Sequence, residues 1–463
     1  MSTEAHERAD VPASLRSVQE QMEGRLVLPD DEAFDAERRP WNLAVEQRPA
    51  AVAHPAGVDD VRAVLRAARE GGLTVAVQPN GHGASSALEG AILVRTAAFD
   101  HLEVDADARV ARIGAGVPWG PVLQALEGTG LGAPSGTSRV VSAVGYALGG
   151  GHGWLAREAG LGAHGLRAVR VLRPDGSLDR VDDASDPEAM WAMRGGGGIA
   201  GVVTGIEVDL HRVPSLVRAE LVVDGAQAGA ALRALRDAAE ARGPEGADRA
   251  LGLFATSMRM PDAPQVPEPV RGRTLLTIVA LGPDEASLAF LDGVRAATSP
   301  EMDAVAPTTQ LQMSMQAMEP TDPSPSRGAS VALGGLDDAV IDAMLGWRSL
   351  PEQAGLMGIG MRLLGGAVDE PRRPAFATLE GARWLVMGLA PLLPGVPPEP
   401  GLASLSGLSS VLAPNAVPRM IQTFLGEGEP LDACGSPEAL ARLRAARDAA
   451  DPDRLMHEGR LPR

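Results

Sequence analysis

The stretch QPNGHGASSALEG, Gln78 to Gly90, sets one imidazole, His82, among small and turn-forming residues directly after the apolar run LTVAV. A loop of this make-up lets a ligand come close to backbone amides, because glycine lacks a Cβ and reaches positive φ without strain. Two further glycine-rich stretches follow, SAVGYALGGGHGWL (Ser142 to Leu155) and MRGGGGIAGVVTG (Met193 to Gly205). Three such loops in one half of the chain point to a single extended ligand that carries phosphates. The last loop holds a formal G-x-G-x-x-G at Gly196, Gly198 and Gly201. A dinucleotide fingerprint needs a strand before it and a helix after it, whereas VVTGIEVDL reads as a strand, so that reading fails on context.

Composition removes other chemistries. All 42 basic residues among the 463 are arginine. Without lysine there is no P-loop cation and no amine for a Schiff base. The single cysteine, Cys434, allows neither a disulfide framework nor a thiolate cluster, and no metal centre is expected. A net charge of −18 argues against a nucleic-acid face. The N-terminus is polar, with no apolar h-region, and no run approaches the length of a membrane span. The expectation is a cytoplasmic monomer or homodimer without nucleic-acid or membrane partners.

These loops need elements to hold them. Residues 1–28 read as a helical or flexible lead-in. VAHPAGVDDVRAVLRAAREGGLTVAV then reads as strand, helix, strand, with Val61, Val64, Leu65 and Ala68 on one helix face and a stop at Gly71-Gly72. Residues 91–130 give two further strands and a helix after Pro118. LRAVRVLRPDGSLDRVD is a hairpin turning at Pro174-Asp175-Gly176. After about Arg212, long alternating strands separated by helices predict an antiparallel sheet with one covered face, hence an α+β class. QMSMQAMEPTDPSPSRG reads as a loop. SPEALARLRAARDAAD is an amphipathic helix capped by Ser436, with Pro437 at its first position and Leu440, Leu443 and Ala446 as its stripe.

In order, VQPNGHGA…LEGAILVRT, ARIGAGVPWGPVL, SGTSRVVSAVGYALGGGHGWLAREAGL and WAMRGGGGIAGVVTGIEVDL resemble the vanillyl-alcohol-oxidase-type FAD domain. More narrowly, they resemble the berberine-bridge-enzyme-like FAD-linked oxidases. The likeness runs from about Trp41 to Val213 and returns weakly in RLLGGAV, GARWLV and the C-terminal helix. It implies a two-part FAD-binding domain, 1–212 with a returning segment 425–463, around a substrate domain, 213–424. It implies FAD held by Gln78, Pro79, Asn80, Gly81, His82, Gly83 and Ala84. Further contacts would come from Gly136, Thr137, Ser138, Val141, Ser142, Gly145 and Tyr146, then Gly149, Gly150, Gly151, His152 and Gly153, and finally Gly201, Val202 and Val203. His82 stands where members often bond the flavin covalently. Ser138 stands where doubly linked members carry cysteine, so one link through His82 is implied. Gln78 replaces a common arginine, and Tyr146 stands where plant members often have histidine.

The implied activity is hydride removal from a C–H next to O or N of a small molecule in secondary metabolism. Oxygen would be the acceptor and hydrogen peroxide the product. A dehydrogenase with another acceptor, a redox-silent binding protein and a non-redox cyclase stay open. From Val213 to Met456 there is no Tyr, Lys or His to serve as base. Tyr146, Glu370 and Arg362 are the catalytic candidates, with Asp369, Glu380 and Arg383 beside them, and the base itself is unassigned. Met258, Met260, Met313, Met315, Met318, Met357 and Met361 enrich the second half in thioether. They fill a core or face a bulky, partly apolar substrate.

Overall fold

The computed structural model describes residues 13–241, 246–247, 250–317, 319–350 and 356–461. The strands in chain order are β1 (Arg25–Val27), β2 (Ala51–His54), β3 (Val75–Val77), β4 (Ile92–Val94), β5 (Leu102–Asp105) and β6 (Val110–Gly114). There follow β7 (Leu131–Gly132), β8 (Leu166–Leu172), β9 (Leu178–Asp182), β10 (Val202–Asp209), β11 (His211–Arg212) and β12 (Val217–Asp224). The last six are β13 (Gly252–Arg259), β14 (Thr274–Gly282), β15 (Met302–Pro307), β16 (Ser326–Leu333), β17 (Gly358–Leu363) and β18 (Trp384–Pro391).

The first sheet has the order β1-β2-β4-β3, with β2, β4 and β3 parallel. Parallel neighbours need a crossover, which the helix Val58–Gly71 supplies. Its Val61, Val64, Leu65 and Ala68 are buried, and Gly72 ends it at φ 64°. Buried Asp60 on this helix accepts from the amides of Glu23, Gly24 and Ala56 at 3.0, 2.8 and 2.8 Å, which ties the lead-in to the sheet. Residues 1–12 of that lead-in lie outside the described residues.

The second sheet is β5-β6-β10-β8-β9, antiparallel throughout. Residues 91–130 form three strands, not the two expected. LEVD is an edge strand with no buried residue, so it lacks the apolar alternation by which strands are recognised. The hairpin β8–β9 turns where predicted, with Gly176 at φ 89°. β10 follows Gly201 directly, consistent with rejecting the dinucleotide fingerprint.

The third sheet has seven antiparallel strands in the order β15-β12-β14-β13-β17-β18-β16. The helices Ala228–Glu240, Asp338–Arg348 and Glu399–Leu412 cover one face with a single apolar core. The segment expected as a loop overlaps the helix Gln310–Gln316, capped by the Thr309 hydroxyl, which accepts from the Gln312 amide at 3.2 Å. Met313 anchors it in a cluster with Trp154, Phe254 and Leu281, and this tertiary burial outweighs local Pro and Ser content. Met318 lies outside the described residues.

The C-terminal helix Pro437–Ala450 is capped by Ser436, and its Leu440 and Leu443 are buried in a cluster with Trp191 of the first half. Beyond it, the Val75 amide donates to the Leu455 carbonyl, and the His457 amide donates to the Val75 carbonyl, each at 2.8 Å. The end of the chain thus extends the first sheet. The fold is α+β. Among the described residues no helix is long and apolar enough to cross a membrane.

Candidate functional site

A cavity of about 510 Å³ opens where the glycine-rich loops meet the third sheet. Gln78, Pro79, Asn80, Gly81, His82, Gly83 and Ala84 all line it. So do Gly136, Thr137, Ser138, Val141, Ser142, Gly145, Tyr146, Gly149, His152, Gly201 and Val203. Gly150, Gly151, Gly153 and Val202 do not line it and stand behind the wall. Gly151, at φ 63°, passes so close to Tyr146 that a Cβ would sit 2.4 Å from its ring. Val202 is fully buried in the core behind.

The first loop is shaped by Gly81. Its φ is 86°, and a Cβ there would lie 2.6 Å from Pro40, so only glycine fits. Among the described residues the amides of Asn80, Gly81, His82 and Gly83 meet no protein acceptor. They form a row of free donors suited to an anion. Gln78 turns away from this row into a paired amide contact with Gln47 at 2.9 Å. The buried Arg95 guanidinium donates from behind to the carbonyls of Gln78, Glu37 and Arg39. His82 stacks on Trp41, with ring centroids 4.1 Å apart and 16° between planes. Both of its ring nitrogens are buried without a protein partner. Burial pushes its pKa down to about 4, so the imidazole is neutral at pH 7.

At the other end four side chains converge. Tyr146 lies on the helix Ala143–Leu148, capped by Ser142, and packs edge-on against Trp119. Its hydroxyl is buried and unpartnered, and desolvation raises its pKa, so the phenol keeps its proton. The Arg362 guanidinium lies over Phe254 and Phe424, 4.5 and 5.2 Å from their centroids, and Nη1 donates to the His152 carbonyl at 2.9 Å. Desolvation lowers its pKa, and the Coulombic attraction of Glu319 opposes that. His152 is held neutral by burial and by the Arg362 charge. Glu319 is the carboxylate among the lining residues and accepts from the Thr137 hydroxyl.

Of the catalytic candidates, Tyr146 and Arg362 line the cavity and Glu370 does not. Glu370 is exposed, because Gly365 and Gly366, at φ 96° and 62°, turn the chain away after β17. Asp369, Glu380 and Arg383 also lie off the cavity. Among the methionines, Met313 and Met361 are core, whereas Met315 and Met357 are exposed.

Sequence reasoning missed Trp41, Glu319 and the segment Gln422–Leu425. That segment is stitched to the second glycine loop: Thr423 N donates to the Gly149 carbonyl at 3.0 Å and Gly151 N to the Thr423 hydroxyl at 3.2 Å. Gln422 Oε1 is buried and unpartnered beside it. No local pattern marks TFLGEGEP, since its role arises only from long-range contact.

A FAD binding domain is matched over residues 49–182. The chain is 32% identical over 195 residues to (R)-6-hydroxynicotine oxidase of Paenarthrobacter nicotinovorans, covering 42% of this chain and 43% of that protein. It is 27% identical over 237 residues to glucooligosaccharide oxidase of Sarocladium strictum, covering 50% and 47%. The similarity thus spans less than half the length of these relatives. Among solved structures, BBE-like 1 of Physcomitrella patens superposes with a TM-score of 0.80 at 17% identity, covering 97% of this chain and 99% of that one. The 6-hydroxy-D-nicotine oxidase of Arthrobacter nicotinovorans gives 0.77 at 21% identity, covering 95% and 97%. The free amides, the unpartnered neutral imidazole and the cavity volume fit a flavin dinucleotide.

Proposed function

We propose that the chain is a FAD-linked oxidoreductase of the berberine-bridge-enzyme-like kind and that it removes hydride from a C–H next to O or N of a small molecule. FAD bound here would supply the two-electron acceptor, with oxygen as the final acceptor and hydrogen peroxide as the product. The observation that carries this reading is the single cavity wall shared by the His82 loop and the Glu319–Arg362 cluster.

The amides of residues 80–83 would hold the pyrophosphate, and Gln422 Oε1 and the Tyr146 hydroxyl would meet polar atoms of the cofactor. A histidyl link needs a ring nitrogen with a free lone pair. His82 offers it, since burial keeps the ring neutral and no protein donor occupies either nitrogen. Trp41 fixes the plane of the ring. Tyr146 acts as a donor, because a phenol with a raised pKa is a poor base.

Glu319 takes the proton released from the substrate O–H or N–H as the hydride leaves carbon. The Thr137 hydroxyl orients its carboxylate, and Arg362 brings a positive charge to the same end of the cavity. Glu319→Gln keeps the shape and removes the base, so it lowers kcat about 10²–10⁴-fold while the bound flavin spectrum is retained. Peroxide formed in step with substrate consumption supports the oxidase. Turnover without peroxide would make it a dehydrogenase with another acceptor, and an unchanged kcat in Glu319→Gln would remove Glu319 as base.

A further inference from the structure

The seven-stranded sheet has two faces of different character. Leu253, Ala255, Leu276, Ile278, Ile359, Met361, Val386 and their neighbours bury one face beneath the helices. Side chains alternate along a strand, so the intervening residues share the other face. That face looks toward the cavity: Arg362 of β17 lines the cavity, and Phe254 of β13 stacks on Trp154 at 3.9 Å.

Register places the next residues outward in one row. Thr277 pairs with Thr256, Thr256 with Gly360, Gly360 with Met387, and Met387 with Ser330. Five strands at the usual spacing make this row about 19 Å wide. Every member is half-buried, and the row lies next outward from Arg362, beyond the lining of the cavity itself. Its centre is bare backbone: a Cβ on Gly360 would meet only the Met387 methyl, at 3.3 Å. The following row, with Leu275, Met258, Gly358, Leu389 and Gly328, continues the same character. On this face of β13, β14, β16, β17 and β18 the only charged side chain is Arg362, at the inner end.

We propose that this row is the floor of the substrate site and that the substrate is a planar, uncharged, mostly apolar molecule, lying over Gly360 with its one reacting O–H or N–H turned toward Glu319. The proposal rests on the oxidoreductase reading above and names its substrate class. Polar contact on the floor is limited to three hydroxyls, of Thr256, Thr277 and Ser330. A polyol would leave most of its hydroxyls unpaired there, and each buried unpaired group costs about 1–3 kcal/mol. The aromatic side chain on this face, Phe254, is already covered by Trp154 and Arg362, so this sheet face offers no free ring to stack on a sugar. A flat ring instead gains contact with bare backbone and with the adaptable thioethers of Met387 and Met258.

The test is calorimetric titration of the purified full chain with 2-naphthol, 2-aminonaphthalene and cellobiose, repeated on Gly360→Leu. The side chain introduced there would fill the floor without touching the glycine loops. Thr256→Leu serves as a second floor variant should the first fail to fold. The expected result is binding of at least one naphthalene and none of cellobiose, with at least a tenfold loss in either variant. The visible flavin spectrum should stay unchanged in both. Cellobiose binding more tightly than either naphthalene, no binding by either naphthalene, or equal binding by wild type and variants would overturn the proposal. Absence of flavin from the wild-type protein would instead overturn the oxidoreductase reading, since the titration itself does not depend on the cofactor.

Discussion

The imidazoles are the residues whose state decides most. His82 and His211 are both pushed down to about 4 by burial, and His152 and His164 are lowered by the same cause. Unfolded, each titrates near its ordinary value of about 6.5. Between pH 6.5 and about 4 the unfolded chain therefore binds protons that the folded chain refuses. Stability is full above pH 6.5 and falls as the solution is acidified, by up to about 1.4 kcal/mol per pH unit for each such group. The flavin-free protein should show a melting temperature that falls steadily from pH 7 to pH 5, above the range where carboxylates titrate. A flat profile there would mean these rings are charged or solvated in the folded state. Arg362 makes a second prediction at this scale. Arg362→Met keeps the stem but removes the cation that lines the cavity, so kcat should fall while the bound flavin spectrum is retained. An unchanged kcat would separate Arg362 from the chemistry.

At the scale of elements, the glycine loops work because second segments brace them. Gly151 combines a positive φ with contact against Tyr146, so Gly151→Ala costs about 1–2 kcal/mol in backbone strain alone and displaces the ring as well. Thermal unfolding should show a lower midpoint together with weaker flavin retention, and an unchanged midpoint would contradict the packing described. The elements also show what a sequence makes legible. The helix Val58–Gly71, the hairpin β8–β9 and the capped helix Pro437–Ala450 carry local signals: a 3.6-residue stripe, a Pro-Asp-Gly turn, a Ser-Pro start. The His82 loop was legible because its glycines and lone histidine are themselves local. The edge strand β5 and the helix Gln310–Gln316 were not, since one has no buried face and the other is fixed by Met313 entering a distant cluster. Glu319 and Gln422–Leu425 escaped for the same reason, because only the fold brings them to the cavity.

Across the whole molecule, the cavity is assembled from segments far apart in the chain: residues 77–84, 136–152, Glu319, Arg362 and 422–425. The proposed division into 1–212, 213–424 and 425–463 thus has its last boundary inside a stretch that lines the site. A ligand bridging such segments stabilises the folded state by mass action. The oxidoreductase reading depends on that ligand being a flavin, and the linkage reading on its being fixed at His82. The visible absorption spectrum of the purified protein, before and after acid precipitation, tests this most directly, alongside His82→Ala. The account predicts a yellow pellet for the wild type and a colourless pellet with yellow supernatant for the variant. A wild-type protein that takes up no flavin even when mixed with FAD would contradict it.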